Sequence, residues 1–157
     1  MSAFNEKFLS STGIRPPADA FFVIVRALWN DSICSGLLKG CTRVLDEHKL
    51  GYRVVDVPGA FEIPFAIRRL WEISTPKPAA FIALGCVIRG DTPHFDYVCR
   101  AVTDGILKLN LDLPVPSIFG ILTVDNLRQA EERIGGVHGH KGEEAALTAI
   151  QMVAGLG

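Results

Sequence analysis

The chain has 157 residues, 48% of them hydrophobic, and its 16 basic and 17 acidic side chains leave a formal net charge of −1. This length suits one domain with one sizeable core, and the balanced charge argues against nucleic acid or a membrane surface as the main partner. No apolar run approaches the roughly 18 residues of a membrane span, and the N-terminus lacks a charged-then-apolar signal pattern, so we expect a cytoplasmic protein.

Residues 1–19 do not follow the pattern of the rest of the chain. They contain Ser10-Ser11-Thr12-Gly13 and few apolar positions. We predict an N-terminal arm over residues 1–19 and a single domain over residues 20–157. An arm that adds a strand to a neighbouring subunit would suit a homo-oligomer, whereas a frayed terminus is the default expectation for any chain end.

Four strand-then-helix units follow the arm. The predicted strands cover residues 21–25 (FFVIV), 52–57 (YRVVDV), 79–88 (AAFIALGCVI) and 115–122 (VPSIFGIL). Right-handed crossovers leave few other arrangements for such alternating units. The sequence therefore predicts an α/β protein of flavodoxin-like type, a three-layer α/β/α sandwich around a four-stranded parallel sheet.

Apolar residues three and four apart predict a helix after each strand. The first helix follows a turn over residues 29–32 and is closed by Gly51, the second opens near Glu62, and the third begins at about His94. The last unit holds a short helix through Ile134, then a loop (GGVHGHKG), then a final helix from about Gly142.

Side chains suited to ligand binding follow the predicted strand ends. In open parallel sheets ligands bind beyond the carboxyl ends of the strands, and helix N-termini attract anions. The first strand end presents Trp29, the second Phe61 and Glu62, the third the loop RGDTPH, and the fourth Phe119. Aromatic rings there suit a flat heterocycle, although Trp29 and Phe119 could equally be core or rim aromatics. His94, at the junction of loop and helix, is a candidate acid/base group beside an anion site.

The remaining polar groups leave alternatives open. Arg89, Arg133 and Lys141 are each either solvated surface charges or partners for a phosphate. His138 and His140 flank Gly139, but no carboxylate or cysteine completes a metal site, so we expect no bound metal. The four cysteines show no CxxC pair, which predicts free thiols in a reducing compartment.

Four motifs in one order resemble those of the lumazine synthases. They are VPGAFEIP (57–64), LGCVIRGDTPHFDY (84–97), FGILTV (119–124), and the pairing of residues 129–133 with 139–142, and the similarity runs from about residue 21 to 153. The resemblance implies condensation of 5-amino-6-(D-ribitylamino)uracil with 3,4-dihydroxy-2-butanone 4-phosphate to 6,7-dimethyl-8-ribityllumazine in riboflavin biosynthesis. It also implies that the reaction releases phosphate and water and needs no metal or organic cofactor.

The resemblance further implies roles for individual positions. His94 matches the proton-transfer histidine, and Asp91, Thr92 and Arg133 match the phosphate site. Phe119 matches an aromatic residue supplied by a neighbouring subunit. The positions that match the ribitylaminouracil site are Trp29, Ala60, Phe61, Glu62, Cys86, Val87, Ile88, Phe119 and Lys141.

The resemblance implies small-molecule substrates and a homo-oligomer with its sites between the subunits of a pentamer. Some relatives form decamers, and others form icosahedral shells of sixty chains. The shell-forming relatives usually have the loop sequence GTKAGNKG, whereas residues 135–142 of this chain read GGVHGHKG. Two readings besides an active synthase stay open. One is a flavin- or lumazine-binding protein with reduced catalysis, which the large ring of Trp29 motivates. The other is a purely structural shell protein.

Overall fold

The structure is a computed structural model that describes Leu9 and residues 13–156. Its sheet contains β1 (Phe21–Ala27), β2 (Gly51–Val57), β3 (Ala80–Ile88) and β4 (Ser117–Val124). The strand order is β2-β1-β3-β4, and all three pairings are parallel. The predicted four-stranded parallel sheet is confirmed.

Helices cover both faces of the sheet. On one face α1 (Asp31–Glu47) packs against α5 (Lys141–Leu156), and on the other α2 (Ile63–Ile73) packs against α3 (His94–Asp112). Residues 80–86 of β3 are all buried, because this inner strand has a neighbour on each side and a helix layer on each face. The predicted three-layer sandwich of flavodoxin-like type is therefore confirmed.

The segment after β4 differs from its prediction. The short helix α4 (Leu127–Glu131) ends before Ile134, which lies instead in the strand β5 (Ile134–Gly136). This strand pairs with β6 (Gly139–His140) in an antiparallel hairpin. Gly135 and Gly139 have φ angles of 110° and 75°, in a region that glycine adopts far more readily than other residues. The predicted loop is thus a structured hairpin whose turns depend on glycine.

The end of α1 was also placed wrongly by sequence pattern. The helix ends at Glu47, and Lys49 takes a left-handed conformation with φ 56°. Gly51, predicted to close the helix, is instead the first residue of β2. The turn therefore places its left-handed conformation on a lysine, where glycine would be the usual choice.

The predicted arm falls mostly outside the described residues, since the structure describes only Leu9 and residues 13–19 of it. Residues 13–20 contain turns and no strand, and the Ala20 N–H donates to the Pro17 carbonyl at 2.9 Å. Strand addition by the arm stays a prediction. None of the helices in residues 13–156 is long and apolar enough to span a membrane.

The hairpin packs against α1 at two glycines. A Cβ at Gly36 would lie 2.8 Å from Ile134 Cδ1, and one at Gly40 would overlap the His140 ring. Nδ1 of His140 is buried and has no hydrogen-bond partner among the described residues. The imidazole therefore fits this contact better in its neutral form than as a cation.

Acid should weaken the contact between the hairpin and α1. Burial lowers the pKa of His140 from its ordinary value, against a smaller opposing effect of Glu143 and with some help from Arg43. The unfolded chain then binds more protons than the folded chain between these two pKa values. We expect the free energy of unfolding to fall as the pH decreases from about 6.5 toward the folded-state pKa.

Chemical denaturation at several pH values, at one protein concentration, would measure this dependence. The variant His140→Gln should flatten the curve below about pH 6.5, whereas His138→Gln should keep it. His138 is a suitable control because it lies on the same hairpin with its side chain exposed, where its 3.8 Å contact with Glu132 contributes little to stability. An unchanged curve in His140→Gln would contradict the assignment.

Candidate active site

Trp29 lies at the carboxyl end of β1. Its N–H donates to the Pro58 carbonyl at 3.0 Å, and the Leu28 N–H donates to the Val57 carbonyl at 2.8 Å. These bonds extend the pairing of β1 with the chain after β2. The Trp29 side chain is 74% exposed, so it is not a core aromatic. The bonds fix its backbone, and its exposed ring offers a surface on which a flat ligand can stack.

Asn30 connects the end of β1 with the end of β3. Its Nδ2 donates to the Cys86 carbonyl at 2.9 Å, and its backbone takes a left-handed conformation with φ 59°. Its carbonyl also accepts the N–H groups of Ile33 and Cys34 in the first turn of α1. The sequence places Asn30 only in a turn, because the strand-to-strand contact depends on the order of strands in the sheet. Its place before a helix and the tolerance of asparagine for left-handed backbone were the available signal.

A 3₁₀ turn (Ala60–Glu62) follows β2 and reaches the end of β3. Ala60 is buried against Gly85, where an added Cβ would lie 3.4 Å from Ala60 Cβ. Phe61 and Glu62 are exposed, and Glu62 Oε2 would lie 3.1 Å from a Cβ at Gly59. The turn is thus held closely against the sheet while the two larger side chains remain accessible to a ligand.

The last three residues of β3 are predicted site residues whose side chains are largely turned away from solvent. Cys86 is buried, and Val87 and Ile88 are partly buried. Burial is the main reason that the pKa of the Cys86 thiol is raised to about 12, and that of the neighbouring Cys34 to about 11. Both thiols stay protonated near neutral pH, so neither is a ready nucleophile.

Asp91, Thr92 and His94 form an exposed loop and helix start after β3. His94 is the first residue of α3, which confirms the predicted helix start. Its N–H donates to Thr92 Oγ1 at 3.4 Å. The loop therefore brings a hydroxyl, an imidazole and the N-terminus of a helix of 19 residues to one place.

Arg89 is already paired. Its Nε donates to Asp125 Oδ1 at 2.8 Å, Nη1 lies 3.4 Å from Asp96 Oδ1, and Cζ lies 4.2 Å from the ring centre of Phe95. The hydrogen bond with Asp125 is the main cause that raises the pKa of Arg89 above its ordinary value. Of the two interpretations that the sequence left open, a solvated surface charge or a partner for a phosphate, the structure favours the first, because the side chain is 43% exposed and is paired with Asp96 and Asp125.

The other predicted site residues lie in a different place. Phe119, Arg133 and Lys141 line an open groove of about 1080 Å³ along β4, between residues of α3 and α5. Among the described residues that line it, there is none of the ten predicted site residues at the ends of β1, β2 and β3. We call those ten the edge cluster: Trp29, Ala60, Phe61, Glu62, Cys86, Val87, Ile88, Asp91, Thr92 and His94. Phe119, Arg133 and Lys141 are the groove cluster.

The prediction that Phe119 lies at a strand end is wrong. Phe119 is the third residue of β4, opposite Ala83 of β3, and β4 continues to Val124. The apolar run through residues 117–124 has no internal signal for where pairing with β3 begins and ends. Phe119 is 42% exposed and faces the groove instead of the carboxyl edge.

Arg133 and Lys141 are brought together by the hairpin. The Lys141 N–H donates to the Arg133 carbonyl at 2.8 Å. Lys141 Nζ lies 2.7 and 2.9 Å from the two carboxylate oxygens of Glu144. Arg133 donates to the Gln129 carbonyl at 2.7 Å, and within residues 13–156 no carboxylate pairs with it. Arg133 is therefore the cation of the groove cluster that is open to an anionic ligand.

Comparison with known proteins decides the family. The profile of the 6,7-dimethyl-8-ribityllumazine synthases matches residues 19–156. The protein of that name from Parabacteroides distasonis is 52% identical over 83% of this chain and 82% of its own length. The one from Cytophaga hutchinsonii is 42% identical over 98% of each chain. This chain belongs to the 6,7-dimethyl-8-ribityllumazine synthase family.

The family resemblance read from four motifs is thus confirmed, and the matches do not favour a binding protein without catalysis or a purely structural shell. In the single chain of this lumazine synthase family member, the groove cluster lines a groove that contains no residue of the edge cluster. In residues 13–156 no group of three or more histidine, cysteine, aspartate or glutamate side chains could hold a metal ion.

Proposed function

We propose that this chain is an active lumazine synthase. It condenses 5-amino-6-(D-ribitylamino)uracil with 3,4-dihydroxy-2-butanone 4-phosphate to 6,7-dimethyl-8-ribityllumazine, with release of phosphate and water. Family membership supports the substrates and the product. The observation that most supports activity is the edge cluster itself, in which exposed Trp29, Glu62 and His94 stand at three adjacent strand ends.

The pyrimidine is bound at the ends of β1, β2 and β3. Its ring stacks on Trp29, and the backbone of residues 86–88 hydrogen-bonds to the ring edge. Ala60 and Phe61 close the side of the pocket, and the Glu62 carboxylate accepts hydrogen bonds from ribityl hydroxyl groups. The pyrimidine is thereby held in place for the second substrate, and positioning two reactants together can contribute on the order of 7–11 kcal/mol in the best-oriented cases.

His94 transfers protons beside the phosphate. An amine of the pyrimidine adds to the ketone, water and then phosphate leave, and the second amine closes the ring with loss of another water. Each step moves a proton, and His94 is the titratable group that directly follows the loop of residues 90–93. The Thr92 hydroxyl and the N–H groups of the loop that contains Asp91 bind the phosphate, which a helix N-terminus favours.

The groove cluster completes the site of a neighbouring subunit. Phe119, Arg133 and Lys141 face an open groove and do not line the edge cluster of their own chain. A head-to-tail ring places the groove cluster of one subunit on the edge cluster of the next, so that Arg133 reaches the phosphate and Phe119 and Lys141 the pyrimidine. We assign a homopentamer as this ring. The arm of residues 1–19 adds to β2 of a neighbour, an edge strand with one partner in the described sheet.

A cytoplasmic location belongs to the same proposal, and the four unpaired cysteines support it. Incubation of the protein with both substrates, followed by the absorbance of the lumazine product, tests the activity. The solution mass of the same sample tests the ring. A protein that binds both substrates and forms no lumazine would contradict the proposed function.

Mixed oligomers test the shared site directly. His94→Ala impairs the edge cluster and Arg133→Ala the groove cluster, so each variant alone should be weakly active. If sites form between subunits, refolding the two variants together at equal amounts should restore an intact site at about one quarter of the interfaces. The measurement is lumazine formation per chain before and after mixing.

The control is the double variant His94→Ala/Arg133→Ala mixed with the parent protein. There the sites that regain one intact cluster lack the other, so activity should not exceed that of the diluted parent. If the mixture of the two single variants shows no recovery and the control keeps the full activity of the diluted parent, both clusters act within one chain.

A further inference from the structure

Arg89 ties the phosphate loop, which we define as residues 90–93, to the turn after β4. The Arg89 N–H donates to the Val124 carbonyl at 2.9 Å, and Nε donates to Asp125 Oδ1 at 2.8 Å. The turn is itself fixed, because the Asp125 N–H donates to Gln129 Oε1 at 2.8 Å. The residue before the loop is thus anchored through both its backbone and its side chain.

The same guanidinium also contacts the residues after the loop. Nη1 lies 3.4 Å from Asp96 Oδ1 in the first turn of α3, and Cζ lies 4.2 Å from the ring centre of Phe95. A planar guanidinium can stack on an aromatic ring while its edge donates to carboxylates, which an ammonium group cannot reproduce. Arg89 therefore contacts both flanks of a loop of four residues that directly precedes His94.

We call the contacts of Arg89 with Asp125, Asp96 and Phe95 the clamp. The clamp also neutralises negative charge around the loop. Asp91 lies in the loop, and Asp96 and Asp125 flank it. Within the part of the chain that the structure describes, Arg89 is the ion-pair partner of both flanking carboxylates. A phosphate monoester carries up to two negative charges near neutral pH, so unpaired carboxylates at this place would repel it.

We infer that Arg89 is a positioning residue for the phosphate substrate, which holds the phosphate loop in its binding conformation through Asp125, Asp96 and Phe95. This inference rests on the proposed function, because that function supplies the phosphate. Arg89 itself does not contact the reacting atoms. Its effect reaches the substrate through the N–H groups of the loop and through Thr92.

Four variants separate positioning from charge. Arg89→Ala removes both the clamp and its charge, and Arg89→Lys keeps the charge alone. Asp125→Ala breaks the clamp while it removes a negative charge, so a purely electrostatic role predicts tighter phosphate binding in this variant. The matched control is Arg68→Ala, which removes an exposed arginine that pairs with Glu72 within α2.

The readouts are KM for each substrate, kcat, the thermal midpoint and the dissociation constant of inorganic phosphate. In Arg89→Ala we expect KM for the phosphate substrate and the phosphate dissociation constant to rise roughly fivefold, with KM for the pyrimidine unchanged. Asp125→Ala should shift the same two constants in the same direction. Arg89→Lys should recover only part of the loss, and Arg68→Ala should match the parent.

Tighter phosphate binding in Asp125→Ala would overturn the positioning role. So would equal losses for both substrates together with a lower thermal midpoint, an unaltered phosphate affinity in Arg89→Ala, or a parent protein that does not bind inorganic phosphate. If the parent binds phosphate in an Arg89-dependent manner and forms no lumazine, the proposed function fails while the inference about Arg89 stands.

Discussion

Replacement of His94 by alanine should lower kcat roughly ten- to a hundredfold and leave KM for both substrates nearly unchanged. The reason lies in its place: His94 is exposed at the first position of α3, directly after the phosphate loop. An imidazole there can move protons without being needed to hold the pyrimidine, which we propose stacks on Trp29. The loss should be at the low end for acid/base residues, because the positioning of two substrates survives.

Steady-state rates with each substrate varied in turn measure this effect. His138→Gln is a suitable control, because it removes an exposed histidine from the tip of the hairpin outside both clusters. A kcat within about twofold of the parent would refute proton transfer by His94. A raised KM for the phosphate substrate at unchanged kcat would instead assign His94 to binding.

Replacement of Gly142 by alanine should lower the free energy of unfolding by roughly 2–4 kcal/mol. A Cβ at this position would overlap the Leu37 carbonyl oxygen and lie 2.8 Å from the Leu37 carbonyl carbon. Both atoms belong to the backbone of α1, so they cannot move without displacing the helix. The gain in helix propensity from glycine to alanine is only about 1 kcal/mol and does not offset the clash.

Gly155→Ala provides the matched control, because it lies on the same helix α5 and a Cβ there would meet no atom within 4 Å. That variant should be neutral or stabilised by up to about 1 kcal/mol. Chemical denaturation of the three proteins at one concentration gives the comparison, since oligomer stability depends on concentration. Equal stability of Gly142→Ala and Gly155→Ala would show that α1 and α5 do not need their close contact.

The edge cluster could be located from sequence because its parts are local. Strand β3, the phosphate loop and His94 are continuous in the chain, and the change from an apolar run to polar residues marks the strand end. The rule that parallel strands end at one edge then brings Trp29 and Glu62 to the same place. The roles of these residues stay predictions, since they came from the family resemblance.

The groove cluster could not be located in the same way. Phe119 lies inside an apolar strand whose register is set by pairing with β3. The pattern of apolar residues along β4 does not indicate this register. In the hairpin that joins Arg133 and Lys141, Ile134 and His140 pack where α1 has Gly36 and Gly40. Nothing in the residues 134–140 alone specifies that contact.

The sequence by itself determined the alternation of strands and helices, the family, and the residues that stand at the ends of the first three strands. These follow from local patterns: hydrophobic periodicity, turn residues and motif order. Only the tertiary structure decided that Arg89 pairs with Asp125, that Asn30 joins β1 to β3, and that Phe119, Arg133 and Lys141 line a groove that none of the other predicted site residues lines. Those facts depend on contacts between segments far apart in the chain, which strand order and helix packing create and local sequence does not encode.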